Sequence, residues 1–221
     1  MKLDERTKAY DLAMALPVIA FYVYVLSGLS DDVVNLFQDV VSGNGLAVTG
    51  LANTVLTIAF GTLVVWLLLI RRVPKAKASG ISPRLAAVAG TAASLAIGVI
   101  PLAPLPLPLA IMTMIPVLAG LLGAVFVLMW LGRQFSIMPE ARSLVTAGPY
   151  AIVRHPLYLC ELVTFFGLCL QHDQPWALIL FLAQAVLQFV RMIYEERVLT
   201  AAFPEYEAYS RGTARLIPRI Y

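Results

Sequence analysis

Charged residues are scarce in this chain of 221 residues. Asp, Glu, Lys and Arg make up 13% of it and hydrophobic residues 60%, whereas about a quarter of an ordinary soluble domain is charged. This composition excludes a soluble globular domain and predicts an integral membrane protein. The sequence also lacks long Ser, Gly or Pro linkers and internal repeats. We therefore expect a single membrane domain over residues 1–221, and not a transporter built from repeats.

Residues that commonly bind metals are also few. The two cysteines, Cys160 and Cys169, lie nine positions apart in apolar sequence and match no metal-binding spacing. The two histidines, His155 and His172, fall at opposite ends of one predicted helix, about 25 Å apart at a rise of 1.5 Å per residue. The sequence therefore predicts no metal site.

Six apolar runs predict membrane-spanning helices, and hence an all-α integral membrane protein. A span needs roughly 20 residues. The first four runs have that length and fall within residues 1–131, whereas the last two are shorter and predict a tight antiparallel hairpin. The six predicted helices cover residues 11–29, 46–70, 85–103, 107–131, 157–170 and 176–190. Aromatic and charged residues interleave over 203–211, which is typical of an interfacial segment at the C-terminal end.

The distribution of Lys and Arg predicts the orientation in the membrane. The candidate loops on one side, 30–45, 104–106 and 171–175, contain neither residue, so all 16 basic residues fall on the other side. Lys and Arg concentrate in cytoplasmic loops, so we expect both termini and the active site to be cytoplasmic. The basic loop 71–84 fits a segment at the level of lipid headgroups, which favours membrane lipids as partners and no nucleic acid. No feature of the sequence indicates an oligomeric state.

Charged side chains collect at the cytoplasmic mouth of the predicted hairpin. Counted from Asp173, His155 lies eighteen residues before the turn and Arg191 eighteen after it. This count places Arg154 and His155 at the membrane level of residues 191–197. A charged group at bilayer depth usually faces a polar cavity and has a partner, so we expect the two stretches to meet.

The meeting of these two stretches predicts specific ion pairs. We expect Arg154 to pair with Glu195 or Glu196, and Arg191 to pair with Glu195 one turn further along the helix. Such pairs can simply neutralise one another and fix the hairpin, but three charges and a histidine converge here, which favours a site. Arg191 could equally extend its side chain to the interface.

A polar stripe is predicted on the first arm of the hairpin. Arg154, Tyr158 and Glu161 recur at i, i+4 and i+7, which is the spacing of one helical face. A deep acidic residue is often functional. Glu161 could also serve only to satisfy a neighbouring hydroxyl group, and both interpretations stay open.

Two ordered blocks of residues resemble a known family. The first is Gly148-Pro149-Tyr150-x-x-x-Arg154-His155-Pro156-x-Tyr158, and about 37 residues later comes Glu195-Glu196-x-x-Leu199-x-x-x-Phe203-x-x-Tyr206-x-x-Tyr209. Together they resemble the isoprenylcysteine carboxyl methyltransferase family, which is related to the membrane phospholipid N-methyltransferases. The likeness covers 131–221, about 40% of the chain. Gly148-Pro149-Tyr150 stands where phospholipid N-methyltransferases carry Gly-x-Gly, which favours the carboxyl-methylating branch.

The resemblance implies S-adenosyl-L-methionine as the methyl donor, held within residues 132–221, which would form the methyltransferase core. The implied cofactor-binding residues are Val145, Gly148, Tyr150, His155, Tyr158, Leu159, Glu196 and Tyr206. The implied catalytic residues are Arg154, Glu195 and Glu196, and we expect Glu161 and Arg191 to bind the substrate. The implied acceptor is a lipophilic or lipidated molecule that enters from the bilayer. An isoprenylcysteine-like carboxylate is favoured, with N-methylation of a phospholipid or small amine as the alternative.

Two other function classes are alternatives to a methyltransferase. A sterol-type NADPH reductase is the alternative enzyme, because Pro218-Arg219-Ile220-Tyr221 resembles the Pro-x-x-Tyr end of those proteins. A transporter or membrane scaffold gains no support, since the sequence shows neither a repeat nor a pair of interrupted helices.

Overall fold

The computed structural model describes residues 8–43 and 45–218, without the side chain of Leu46. Lys2, Arg6 and Arg219, on which the predicted orientation partly depends, lie outside the described residues, as do Ile220 and Tyr221. The described helices are α1 (Lys8–Val41), α2 (Gly45–Ile70), α3 (Ser82–Ala96), α4 (Leu107–Leu131), α5 (Pro156–Gln171), α6 (Trp176–Ala202) and α7 (Tyr206–Gly212). Two short strands, β1 (Ala76–Lys77) and β2 (Glu140–Ala141), pair antiparallel. Short 3-10 turns occupy Ile97–Val99, Gly132–Gln134 and Gly148–Ala151.

The predicted all-α membrane fold is confirmed. Within the described residues, five helices are long and apolar enough to cross a bilayer: α1, α2, α3 with its following 3-10 turn, α4 and α6. Helix α5 is apolar but has only 16 residues. It forms the predicted hairpin with α6, joined by a turn in which Gln174 donates from Nε2 to the Cys169 carbonyl at 2.7 Å.

Two helices run further than hydropathy predicts. Helix α1 continues to Val41, so most of the predicted loop 30–45 is helical, because no proline or glycine interrupts residues 29–41. The hydroxyl groups of Ser27 and Ser30 donate to carbonyls three residues earlier in the same helix, so these polar side chains are satisfied without interrupting it. Helix α6 ends at Ala202 and not at residue 190, because charged residues end an apolar run without ending a helix.

The basic ends of the helices lie together at one end of the bundle, as the charge pattern predicts. There the Arg72 amide donates to the Arg133 carbonyl at 2.9 Å, and the Lys75 amide donates to the Ala141 carbonyl at 2.7 Å. At the opposite end the Ala103 amide donates to the Gln171 carbonyl at 2.9 Å. We call these the basic end and the far end of the bundle.

Close packing between α4 and α5 supports the hairpin. A Cβ added at Gly120 of α4 would lie 2.2 Å from Thr164 Oγ1 and 2.6 Å from the Cys160 carbonyl oxygen of α5. Small residues of this kind let membrane helices approach closely. Helix α1 packs on α2, α2 on α4, and α3 on α6. A cavity lies between these groups of helices.

Candidate active site

A cavity of about 260 Å³ reaches from the basic end into the bundle. Apolar side chains from α2, α4 and α5 form much of its wall, among them Phe60, Val64 and Leu121. Of the predicted site residues, the lining includes Val145, Tyr150, Arg154, His155, Tyr158, Glu161, Arg191, Glu195 and Tyr206. The fold therefore gathers most of the predicted residues from both sequence blocks around one space.

Glu196 joins the two blocks. Its Oε1 lies 3.2 Å from Arg154 Nη1 and 3.0 Å from His155 Nε2. Arg215, from the segment after α7, donates to the same carboxylate from Nη2 at 2.7 Å and from Nε at 3.0 Å. The sequence predicts that Arg154 pairs with Glu195 or Glu196, and in the structure its partner is Glu196. Glu196 itself is not among the residues that line this cavity, and two of its partners, Arg154 and Arg215, compensate its charge.

Glu195 is turned to the cavity. Its carboxylate accepts a hydrogen bond from the Tyr158 hydroxyl at 3.1 Å, and it lines the cavity with Tyr150. The predicted pair between Arg191 and Glu195 is wrong, because the ion pairs of the described residues do not include it. Arg191 donates instead from Nη2 to the Ile137 carbonyl at 3.3 Å. The count about Asp173 places His155 opposite Arg191, whereas in the structure His155 contacts Glu196, five residues further along α6.

The predicted helical stripe on α5 is partly wrong. Helix α5 begins at Pro156, and His155 before it has the non-helical angles φ −127° and ψ 60°. Arg154 therefore lies outside the helix that carries Tyr158 and Glu161. The Arg154 amide instead donates to the Ala214 carbonyl at 2.8 Å, which ties the first block to the C-terminal segment.

The C-terminal segment covers the basic end of the cavity. The Tyr209 hydroxyl donates to the Tyr150 carbonyl at 2.6 Å, and the His155 amide donates to the Arg215 carbonyl at 3.1 Å. Burial raises the pKa of Tyr209 to about 12 and raises the pKa of Tyr150 and Tyr206 well above the ordinary value. All three phenols are therefore neutral hydrogen-bonding groups at physiological pH.

Besides Glu196, two predicted cofactor residues, Gly148 and Leu159, do not line the cavity. Gly148 begins a 3-10 turn with φ +62°, and a Cβ there would lie 2.2 Å from Trp130 Cε2. Glycine is thus required at position 148 by the backbone conformation and by the close contact with α4. Leu159 is half-buried on α5 and is likewise outside the set of lining residues.

A second charged cluster at the basic end is absent from the predictions. Asp11 of α1 is 1% exposed and accepts from Arg71 Nε at 2.8 Å and from Arg142 Nη2 at 3.0 Å. Arg142 also lies 2.5 Å from Glu140, and both of these residues line the cavity. An acidic residue at the start of an apolar helix is itself a signal for a partner, and it would have identified Asp11. No spacing in the sequence connects Asp11 with Arg142.

Comparisons with known proteins find similarity in the second half of the chain. Residues 106–206 match the family model described as phospholipid methyltransferase. The cobalt-zinc-cadmium resistance protein CzcN of Cupriavidus metallidurans is 39% identical over 79 residues, which are 35% of this chain and 37% of that protein. The nickel-cobalt-cadmium resistance protein NccN of Alcaligenes xylosoxydans xylosoxydans is 38% identical over 82 residues, 37% of this chain and 38% of that protein. The match thus spans less than two fifths of either relative. The predicted resemblance to membrane methyltransferases is confirmed at the level of this family.

Proposed function

We propose, from the match of residues 106–206 to the phospholipid methyltransferase family model, that this integral membrane protein is an S-adenosylmethionine-dependent methyltransferase. Its acceptor would be a lipophilic molecule that enters from the bilayer. The observation that carries the proposal is Glu196, whose contacts with Arg154, His155 and Arg215 hold both sequence blocks beside one cavity.

The residues around the cavity suit S-adenosylmethionine. This donor carries an ammonium group, a carboxylate, a sulfonium and an adenine ring, so it needs both signs of charge and an aromatic surface. Glu195 offers an anionic group, Arg154 a cationic one, and Tyr150 and Tyr206 offer rings. Arg154 Nε is buried and has no hydrogen-bond partner among the described residues, so a ligand acceptor atom would satisfy it. We assign Arg154 and Glu195 to donor binding, and Glu196 to holding Arg154 in place.

The bound donor would supply an electrophilic methyl group. Held by Arg154 and Glu195, the donor would pass its methyl group from sulfur to the acceptor, and S-adenosylhomocysteine would be the second product. The contribution of the chain is alignment and exclusion of water. The apolar wall and the covering segment of Tyr206 and Tyr209 provide a site shielded from solvent.

Two acceptor chemistries follow from the same site. A carboxylate, as in an isoprenylcysteine, is already ionised, so its methylation needs no base, and the departure from Gly-x-Gly at Gly148 favours it. An amine, as in a phospholipid headgroup, must lose a proton, and Glu161 lines the cavity as a candidate base. We propose the carboxylate as the first candidate and the amine as the second.

We also propose that the basic end faces the cytoplasm. The described residues Arg71, Lys75, Arg142, Arg154 and Arg215 all lie at that end, and Lys and Arg concentrate on the cytoplasmic side of membranes. A water-soluble donor would then reach the cavity from the cytoplasm, and the acceptor from the lipid.

A binding measurement followed by a transfer assay tests the proposal. Purified protein in detergent is titrated with S-adenosylmethionine and with NADPH, and radiolabelled S-adenosylmethionine is then supplied with a host membrane extract. We expect S-adenosylmethionine to bind, NADPH not to bind, and label to enter lipid, with the Arg154→Ala variant inactive. Release of the label by mild base identifies a methyl ester, and stable label identifies an N-methyl product. A lack of S-adenosylmethionine binding by the intact wild-type protein contradicts the proposal.

A further inference from the structure

Most buried basic side chains at the basic end have an acidic partner. Asp11 compensates two arginines there, and Glu196 compensates two more. Four other arginines at this end are exposed and take part in no ion pair with the described residues: Arg72, Arg84, Arg133 and Arg197. Positive charge without an acidic partner is thus confined to a few positions, whose surroundings differ.

Two of these four arginines, Arg72 and Arg133, lie side by side. The Arg72 amide donates to the Arg133 carbonyl at 2.9 Å, so the two backbones are in direct contact. Arg133 also donates from Nε to the Ile70 carbonyl at 3.0 Å, which folds its side chain across the end of α2, close to Arg72. We call Arg72 and Arg133 the arginine pair.

The end of α2 compensates only part of the charge of the arginine pair. The last carbonyl groups of a helix together carry about half a negative charge, and Arg133 binds one of them, that of Ile70. The pair carries two positive charges, so more than one remains without a counter-charge from the described residues. Like charges held side by side repel each other, and an anion between them would remove that repulsion.

Exposed apolar side chains lie on the membrane side of the arginine pair. Trp66 and Leu69, three positions apart in the last turns of α2, are 57% and 44% exposed, and Met129 of α4 is 60% exposed. Helices α2 and α4 pack on each other and both end at the basic end, so these side chains face lipid below the two arginines. Cations at headgroup level above an apolar surface are complementary to a phospholipid with an anionic head.

The arginine pair also adjoins the wall of the cavity. Arg133 belongs to the 3-10 turn Gly132–Gln134 that follows α4, and the next four residues, 135–138, line the cavity. Arg72 lies on the other side of the same junction, because it follows the last turn of α2. A molecule bound to both arginines would therefore join the ends of α2 and α4 and hold the segment that continues into the cavity wall.

We propose that the arginine pair binds one anionic phospholipid from the membrane leaflet at the basic end. The phosphate would lie between the two guanidinium groups, and the acyl chains would follow Trp66 and Leu69 along α2. A zwitterionic lipid is less suitable, because its own ammonium group compensates its phosphate. The inference goes beyond the proposed function and does not depend on it, since lipid binding is measured without a methyl donor or acceptor.

Native mass spectrometry of the purified full chain, released from detergent, measures the binding. The protein is titrated with phosphatidylglycerol and with phosphatidylcholine of the same acyl chains, and the fraction with one bound lipid is recorded for each. We expect the wild type to bind phosphatidylglycerol at least about tenfold more tightly, because one basic residue near a membrane surface contributes about fivefold. Equal affinities of the wild type for the two lipids would overturn the proposal.

Variants assign the preference to the arginine pair. We expect Arg72→Gln/Arg133→Gln to reduce the preference to less than about threefold and to leave phosphatidylcholine affinity unchanged, which also shows that the variant folds. The matched control is Arg84→Gln/Arg197→Gln, which removes two exposed arginines without acidic partners from the same end and should keep the full preference. An equal reduction in the two double variants would overturn the proposal, because net charge alone would then attract the lipid.

A soluble competitor separates the phospholipid from its free head. Glycerophosphoglycerol is the head of phosphatidylglycerol without acyl chains. We expect an excess of about tenfold not to displace the lipid, because burial of the acyl chains against Trp66 and Leu69 adds to the affinity. Displacement at that excess would overturn the assignment of the arginine pair to a lipid.

Discussion

Arg215 binds Glu196 through two nitrogens, with Nη2 2.7 Å and Nε 3.0 Å from the carboxylate oxygens. The two residues lie 19 positions apart, one on α6 and one in the segment after α7. Both side chains are largely buried, at 18% and 11% exposed. A bidentate pair of this kind is strong and geometrically specific. It fastens the covering segment over the cavity that Arg154 and Glu195 line.

Removal of the Arg215 side chain should loosen that covering segment. We expect Arg215→Ala to weaken S-adenosylhomocysteine binding by about tenfold, because the loss of a charge-assisted pair costs on the order of 1.5 kcal/mol or more. Titration calorimetry in detergent measures the change. The matched control is Arg211→Ala, whose pair with Glu207 is exposed at 75% and 66% and should contribute little. Equal effects of the two variants would contradict the assignment.

Substitution of the two adjacent glutamates should affect two different properties, stability for Glu196 and donor binding for Glu195. Glu196→Gln leaves Arg154 and Arg215 buried without a compensating charge, so we expect a loss of about 3 kcal/mol in the free energy of unfolding. Glu195→Gln removes a carboxylate that faces the cavity and accepts from Tyr158, so we expect weaker donor binding with stability nearly unchanged. Thermal unfolding and titration of both variants with S-adenosylmethionine test the pair. The reverse pattern would show that Glu196 is the ligand-binding residue.

Gly148 should tolerate no side chain. Its φ of +62° disfavours other residues, and an added Cβ would meet the Trp130 ring at 2.2 Å. We expect Gly148→Ala to destabilise the protein by more than the roughly 1–3 kcal/mol of backbone strain alone, because Trp130 must also move. Gly80→Ala is the control, since Gly80 has φ +90° and open space around it. If the two variants unfold at the same temperature, the contact with Trp130 is unimportant.

The apolar part of the fold is predictable from the sequence because hydropathy reports local burial in lipid. Helix α4 covers the predicted residues 107–131, and α2 differs by one residue at its start. The ends of α1 and α6 are not predictable in this way, because a helix continues through charged residues wherever its backbone bonds remain satisfied.

The site is only partly predictable for a different physical reason. Arg154 and Glu196 can be matched because a hairpin brings both arms to one membrane level. Arg215 and Arg142 cannot, since irregular segments position them and no periodicity relates them to their partners. Gln188 and Glu161 belong to one hairpin, but their contact depends on the rotation of each helix about its axis, which the apolar pattern of two short helices does not determine.

Asp11 should be essential to the stability of the basic end. It is 1% exposed and pairs with Arg71 and Arg142, whose side chains are 6% and 0% exposed. We expect Asp11→Asn to cost about 3–5 kcal/mol, because two buried guanidinium groups lose their shared carboxylate. Unfolding in a denaturant series measures the loss, and the exposed Asp32→Asn on the same helix should change stability by less than about 0.5 kcal/mol. Since Arg142 lines the cavity, Asp11→Asn should also weaken S-adenosylmethionine binding. Wild-type stability in this variant would mean that Glu140 alone compensates both arginines.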